Sequence, residues 1–532
     1  MESEKTDLPR DAVRVSYTRL PFAREEEEIG VDTPLSRSSR AGVSSVQPMP
    51  ERSRFALSGA TLLSLVSLAR VALQFAAIPL LARLLGPYPY GLMAVAMPVI
   101  LVAMQVSDFG LSSLLIRQRN RADEDTGFWI GTVISLFVSV ALIGIAWFVG
   151  ERIHPEAGPV ILGMVAMPWL TLAMAVPLAR LTRENRLGII ALGDMAGAVL
   201  GLGVAIYGAL ADWGVWCLVA QQLVLLLARA LTYLIATRYS PRLAFDRPRF
   251  RELFAGGASL TGSNLFATAS RSLDNLLVGV LIGPRPAGAY TMTYQFVRLP
   301  DTVIGGPIFL SLTGRFARST DASDAAEPAE SAGVLFATKL RSLAFVIVPA
   351  MVGLALLAEP VVALLLGPQW AGADKILAAL CGAGLFLALG TVNLAVTTGI
   401  GAYRLRAVQS AVQFVAVLAA VAIGAMWDVV IVGWAVSAAY ALQFAWAAMA
   451  VSRRLGASSL APLTALAMPT LGAAALIASV LAARASIDLD MGPIADIALF
   501  GTIGAAAYVA TIVLARRRAI KQDLADIMAL LK

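Results

Sequence analysis

The strongest constraint on this chain is a recurring run of about 20 apolar residues, repeated from residue 57 to residue 514 and broken only by short polar loops. A run of that length crosses a hydrocarbon core of about 30 Å as a helix, because only a helix satisfies every backbone polar group within its own segment. Strands of a membrane barrel alternate apolar and polar residues, and these runs do not. Composition agrees: 58% of the 532 residues are hydrophobic, only 14% are charged, and mean hydropathy is +0.75. Charged residues alone make up about a quarter of an ordinary soluble domain. The chain therefore reads as an all-α integral membrane protein.

Fourteen spans are expected. Six come first, at 57–82, 92–115, 128–149, 159–179, 187–210 and 213–236. An arginine-rich connector with Pro241 and Pro248 follows at 237–251, and then the pattern restarts at 253–282, 289–312, 334–358, 376–399, 405–427 and 429–451. Two further spans, 463–483 and 494–514, precede a basic end. This divides the chain into a tail at 1–52, a six-helix lobe at 53–236, a linker at 237–251, a second six-helix lobe at 252–452, and a C-terminal helix pair with a basic tail at 453–532. The first 52 residues combine an acidic run, Glu25 to Glu28, with Ser, Arg and Pro and no long apolar stretch, the composition of a disordered tail.

The restart is marked by a turn written twice. Leu84-Leu85-Gly86-Pro87-Tyr88-Pro89-Tyr90-Gly91 recurs as Leu281-Ile282-Gly283-Pro284-Arg285-Pro286-Ala287-Gly288, 197 residues later. Each copy ends one apolar helix and begins another, since proline has no N–H and restricts the residue before it. At the same offset Ser64, Ser67 and Gln74 fall opposite Thr261, Asn264 and Arg271. An even number of spans per repeat sends both lobes into the membrane in the same direction, a parallel repeat about an axis along the membrane normal.

Alternate loops carry roughly 25 Lys and Arg on one side against about 5 on the other, which places the rich side, with both termini, in the cytoplasm and both Gly-Pro turns outside. The same distribution accounts for the net charge of +7 without nucleic acid, because the basic residues are scattered between spans rather than gathered on a folded domain. Cys217 and Cys381 lie in apolar runs, and His154 is the only histidine, so neither a disulfide framework nor a metal centre or other cofactor is indicated.

Ionisable groups within spans cost roughly 2.5–3.5 kcal/mol each on insertion scales and call for a partner, a cavity or a function. Arg70 sits mid-span with Gln74 one turn on, and no acid within a turn. Asn264, Arg271, Asp274 and Asn275 form a matching stripe on the seventh span, with Asp194 on the fifth, Arg229 on the sixth, and Arg298 and Asp301 on the eighth. Two readings stand side by side. Arg271 with Asp274, and Arg298 with Asp301, have the i, i+3 spacing of local ion pairs. Alternatively Arg70, Gln74, Arg271, Asn275 and Arg298 line a cleft and hold an anion such as a diphosphate, for which the guanidinium fork is suited. Asp194 and Asp274 are candidates for H⁺ or Na⁺ coupling or for helix contacts. Gly193, Gly197, Gly201, Gly203 and Gly208 on the fifth span read as close helix packing.

Three stretches carry a family resemblance: Ala82-Arg83-Leu84-Leu85-Gly86-Pro87 through Tyr90-Gly91, Asp108-Phe109-Gly110-Leu111-Ser112-Ser113-Leu114-Leu115-Ile116, and Leu366-Gly367-Pro368-Gln369-Trp370. In these the chain resembles the oligosaccharide-lipid flippases, the Wzx-type polysaccharide exporters of the multidrug/oligosaccharidyl-lipid/polysaccharide exporter superfamily. The resemblance implies a V-shaped pair of six-helix lobes in the inner membrane and alternating access for a polyprenyl-diphosphate-linked glycan. It also implies cavity arginines on the first helix of each lobe, matched in position by Arg70 and Arg271. Expected partners are the lipid-linked oligosaccharide, membrane lipids, and the polymerase and chain-length machinery. A membrane polymerase or ligase is the competing class, disfavoured because the outer loops are too short to carry a catalytic constellation. A drug or cation antiporter of the same superfamily is disfavoured by the arginines.

Overall fold

A computed structural model describes residues 76–515, except 119, 244–245, 322–329 and 487–491, together with Ala69, Ala72 and Leu73. Every regular element among the described residues is helical. In chain order the elements of the first lobe are α1 (Ala76–Leu85), α2 (Pro87–Asp108), α3 (Leu111–Arg117), α4 (Arg121–Arg152), α5 (Ala157–Gly163), α6 (Met167–Arg183), α7 (Leu187–Leu210) and α8 (Trp216–Thr237). The second lobe contains α9 (Arg247–Leu281), α10 (Pro284–Val297), a π turn (Asp301–Gly305), α11 (Gly306–Asp321), α12 (Glu330–Leu356), α13 (Ala358–Leu365), α14 (Ala373–Gly399), α15 (Tyr403–Gly424) and α16 (Val429–Arg454). The final pair is α17 (Ala461–Ser486) and α18 (Pro493–Ala515).

Among the described residues eleven helical segments are long and apolar enough to span, and they coincide with eleven of the fourteen expected runs. Of the other three, the first run is described mainly from Ala76, the seventh lies within the long α9, and the eighth is divided between α10 and α11 by the π turn after Pro300. A proline at that point removes one helical N–H and shifts the local register.

One buried cluster joins Ala82 and Ala94 of the first lobe to Tyr290, Val297, Leu377 and Val436 of the second, and two further clusters lie one mainly in each lobe. Leu92, Ile100, Leu142, Ile161, Met164 and Tyr233 are buried together in the first, and Phe316, Phe336, Leu340, Ile347, Val392 and Phe444 in the second. Four of the five α7 glycines form a packing surface, a Cβ at Gly197 lying 2.7 Å from the Leu225 carbonyl and one at Gly201 2.9 Å from that of Gln221, so α7 and α8 meet backbone to backbone; Gly203, expected among them, faces open space. The α17–α18 pair docks on α12 and α13 through Leu476, Phe500 and Tyr508, whose hydroxyl donates to the Phe345 carbonyl at 3.1 Å. Large apolar side chains such as Phe137 and Val140 face outward, as lipid contact requires.

The duplicated turns pack against each other. Gly86 and Gly283 take positive φ (70° and 116°), which glycine alone adopts without strain, and each is followed by a proline that starts the next helix. Four residues later Gly91 lies against the Pro284 carbonyl, and Gly288 lies against that of Pro87, so the two contacts exchange equivalent atoms across the seam between lobes. The Leu366-Gly367-Pro368-Gln369-Trp370 stretch forms a third such turn, with Gly367 at φ 87°. Its side chains reach the carbonyls at the end of α1: Trp370 Nε1 donates at 2.9 Å to Ala82, which also accepts the Gly86 N–H at 3.0 Å, and Gln369 Nε2 donates to Arg83 at 2.8 Å. The Arg83 guanidinium donates in return to the Leu364 carbonyl.

At the opposite end a buried ionic network ties the inter-lobe linker to the first lobe. Glu124, only 3% exposed, pairs with Arg180 and, at 2.9 Å, with Arg183. Asp125 accepts from Tyr239 (3.1 Å) and from the Arg242 N–H (3.3 Å), and Asp123 pairs with Arg249 near the start of α9. Burial and the neighbouring Asp125 push the Tyr239 hydroxyl well above its usual pKa.

Candidate substrate-binding cleft

Between the two ends of the seam the lobes separate into two adjoining chambers. One, of about 210 Å³, is lined by α2, α8, α9 and α10, with Tyr90, Gln221, Gln222, Asn275, Thr291 and Gln295 as its polar side chains, together with Ser272. The other, of about 290 Å³, shares Tyr90, Gln221 and Gln295 and extends to Leu73, Ala77, Ile78 and Leu81 of the first span. Among the described residues neither chamber is lined by a charged side chain.

Local structure places these groups. Gln221 and Gln222 occupy the first half of α8, and the glycine contacts of α7 draw that helix close, so its amides turn toward the seam. Pro98 lies inside α2 and has no N–H to give the Ala94 carbonyl, and both residues line the first chamber. That carbonyl adds an acceptor to the side-chain amides, which offer donors and acceptors alike. Such a surface suits hydroxyl-rich, uncharged matter. Thr291 donates to Asn275 Oδ1 at 3.3 Å, which leaves the Asn275 amide hydrogens for a ligand.

The structure distributes the sequence-predicted residues unevenly. Asn275 lies in the cleft. Arg70 and Gln74 fall outside the described residues, as does the side chain of Arg271; the neighbouring Leu73 and Ser272 do line the chambers. Arg298 lines neither chamber: its guanidinium sits over the Tyr294 ring, 5.5 Å from the centroid, beneath a Tyr294–Tyr440 hydroxyl contact of 3.0 Å. The Arg298–Asp301 pair does not form, because Asp301 instead accepts from Thr391 at 2.9 Å across the π turn.

Asp194 is held by Arg229 at 2.7 Å and by the Tyr233 hydroxyl at 3.0 Å, a neutralised contact between α7 and α8. Asp274 is 5% exposed in α9 and its Oδ1 has no hydrogen-bond partner among the described residues. It turns away from the cleft that Asn275 enters.

Sequence reasoning centred on charge passed over Tyr90, Gln221, Gln222, Thr291 and Gln295. The available signal was uncharged polarity: Gln221-Gln222 interrupts an otherwise apolar run, and Gln295 does the same in the next repeat. The acidic triplet Asp123-Glu124-Asp125 went equally unread.

Comparison with known proteins adds the following. The profile of a family described as "Polysaccharide biosynthesis protein" matches residues 80–375. The succinoglycan biosynthesis transport protein ExoT of Rhizobium meliloti (strain 1021) is 28% identical over 57% of this chain and 61% of its own length. The lipopolysaccharide biosynthesis protein WzxC of Escherichia coli (strain K12) is 24% identical over 63% of this chain and 68% of its own. The aligned stretch thus spans roughly two thirds of these curated relatives. Among solved structures, the lipid II flippase MurJ in an inward closed conformation superposes with a TM-score of 0.65 over 86% of this chain and 99% of that one, at 13% identity. That likeness establishes the fold.

Proposed function

We propose that this chain, which belongs to the polysaccharide biosynthesis protein family, is a flippase. It moves polyprenyl-diphosphate-linked oligosaccharide repeat units across the inner membrane, for exopolysaccharide or other surface polysaccharide synthesis, by alternating access of its two lobes. The observation that carries the reading is a cleft at the seam between two lobes of a multi-pass membrane protein whose described lining is rich in amide side chains. Sugar hydroxyls are hydrogen-bonding but neutral, and amide side chains satisfy them without the desolvation cost of a fixed charge. A transport protein of succinoglycan biosynthesis among the relatives supports the same substrate class.

Within this reading Arg70 and Arg271 receive the diphosphate, with Gln74 and Asn275 in support, while Arg298 stays over Tyr294 outside the chambers. Asp274 carries the coupling H⁺ or Na⁺, and Asp194, already neutralised by Arg229, holds α7 to α8. The basic linker end faces the cytoplasm with both termini, and the Gly-Pro turns face outward. The lobes at 53–236 and 252–452 are the moving bodies, and polymerase and chain-length proteins receive the product.

The test is a deletion strain. Lipid-linked repeat units should accumulate with their glycan facing the cytoplasm, detected by resistance to glycan-modifying reagents in intact spheroplasts and sensitivity after permeabilisation. Normal outward exposure in the deletion strain overturns the proposal.

A further inference from the structure

A third space adjoins the cleft and differs from it in kind. It has a volume of about 400 Å³ and lies between α2, α4 and α9, lined by Val99, Val102, Val106, Leu142, Leu273 and Leu276 among others. Among the described residues Ser272 is the one polar residue in its lining. Ser272 and Pro98 belong to both the groove and the amide-lined chamber, so the two spaces adjoin at that point. On its far side the groove opens laterally, where Ala141 and Ile145 of α4 are exposed. The same helix presents Leu136, Phe137, Val140 and Ile143 outward, so the opening lies within the face that hydrocarbon covers.

A polar chamber joined to an apolar groove matches an amphiphile better than it matches either half alone. A free oligosaccharide gains nothing from the groove, and a hydrocarbon entering the chamber would strip water from Gln221, Gln222 and Gln295 without replacing it. Resting on the flippase reading above, we infer that this groove holds the first isoprene units of the polyprenyl tail while the glycan occupies the chamber. The head–tail junction then lies at Ser272, next in sequence to Arg271. At about 30 Å³ for each water-sized group, the groove takes about a dozen carbon groups, or two to three branched five-carbon units. The remaining tail leaves between Ala141 and Ile145 into the bilayer. Branched chains suit a wall of valine and leucine because irregular surfaces pack without voids.

The experiment uses the full chain in lipid nanodiscs and a polyprenyl diphosphate bearing a diazirine within its first isoprene units, with labelled peptides read by mass spectrometry. Label is expected on the α2, α4 and α9 residues of the groove. Ala141→Trp or Ile145→Trp, at exposed positions that tolerate bulk, should cut labelling by about tenfold by filling the groove. Val140→Trp, on the outward face of the same helix, should leave it unchanged. Label confined to α17 or α18, or groove label that a diazirine phospholipid reproduces and excess polyprenyl diphosphate fails to displace, overturns the inference. If the deletion strain accumulates inward-facing lipid-linked glycan while the label lies elsewhere, the groove assignment alone is wrong. Absence of any polyprenyl labelling above the phospholipid background counts against both readings.

Discussion

Replacing Gly288 by alanine puts a methyl group where the Pro87 carbonyl oxygen now sits. An ideal Cβ there lies 1.8 Å from that oxygen, and one at Gly91 lies 1.6 Å from the Pro284 oxygen, whereas ordinary contact begins near 3.4 Å. Neither obstacle is the end of a flexible side chain; both are backbone within the first turn of a helix, so α2 and α10 must move apart. Overpacking of this kind costs about 1–3 kcal/mol. If the cost falls on the closed seam and not on the separated one, the closed-to-open ratio at the Gly-Pro end drops about 5- to 150-fold. The assay is the rate at which a membrane-impermeant maleimide, added from outside, labels Thr291→Cys in the cleft; native Cys217 and Cys381 are buried and contribute little background. Gly91→Ala and Gly288→Ala should each raise the rate, and because they wedge the same pair of helices the double variant should exceed either by less than the product of the two. A well-folded Gly288→Ala protein labelled at the parental rate would refute the argument that this seam is the outer closure.

Glu124→Gln leaves two half-buried guanidinium groups without their carboxylate and should destabilise the folded protein by about 3–5 kcal/mol, read as a lowered unfolding temperature by tryptophan fluorescence in detergent. Gln221→Leu, Gln222→Leu and Gln295→Leu remove hydrogen bonds worth about 0.5–1.5 kcal/mol each, so each should weaken glycan-lipid binding by about 2- to 12-fold at unchanged abundance; unaltered binding by the triple variant would exclude the amide face. The double variant Arg70→Ala with Arg271→Ala should insert normally and export poorly, with lysine rescuing only in part because it lacks the bidentate fork. Full export by the double alanine variant would dismiss the diphosphate role.

Eleven spanning helices follow directly from uninterrupted apolar length, since a 20-residue run in hydrocarbon has essentially one way to satisfy its backbone. The turns at Gly86, Gly283 and Gly367 were legible for a similar reason: glycine before proline in such a run encodes a positive φ followed by a helix start. Local rules decide both, and local rules are written in consecutive residues.

Tertiary structure alone decided how those elements meet. That the two copies of the turn lie carbonyl to glycine, and that Trp370 caps α1 from 288 residues away, depends on the approach of two lobes. The same holds for the charges. Spacing left Arg298 open as the partner of Asp301 or as a cleft residue, but the π turn after Pro300 hands Asp301 to Thr391 and leaves Arg298 over Tyr294. Asp194 looked solitary until α8 brought Arg229 and Tyr233 to it. Adjacent residues on α9 part company, Asn275 into the cleft and Asp274 into the second lobe, because a helix turns about 100° per residue and the neighbouring helices determine what each direction contains. Sequence sets the apolar runs and which residues they carry; the pairing of faces, which assembles the amides of Gln221, Gln222, Asn275 and Gln295 into one surface, is a property of the packed lobes.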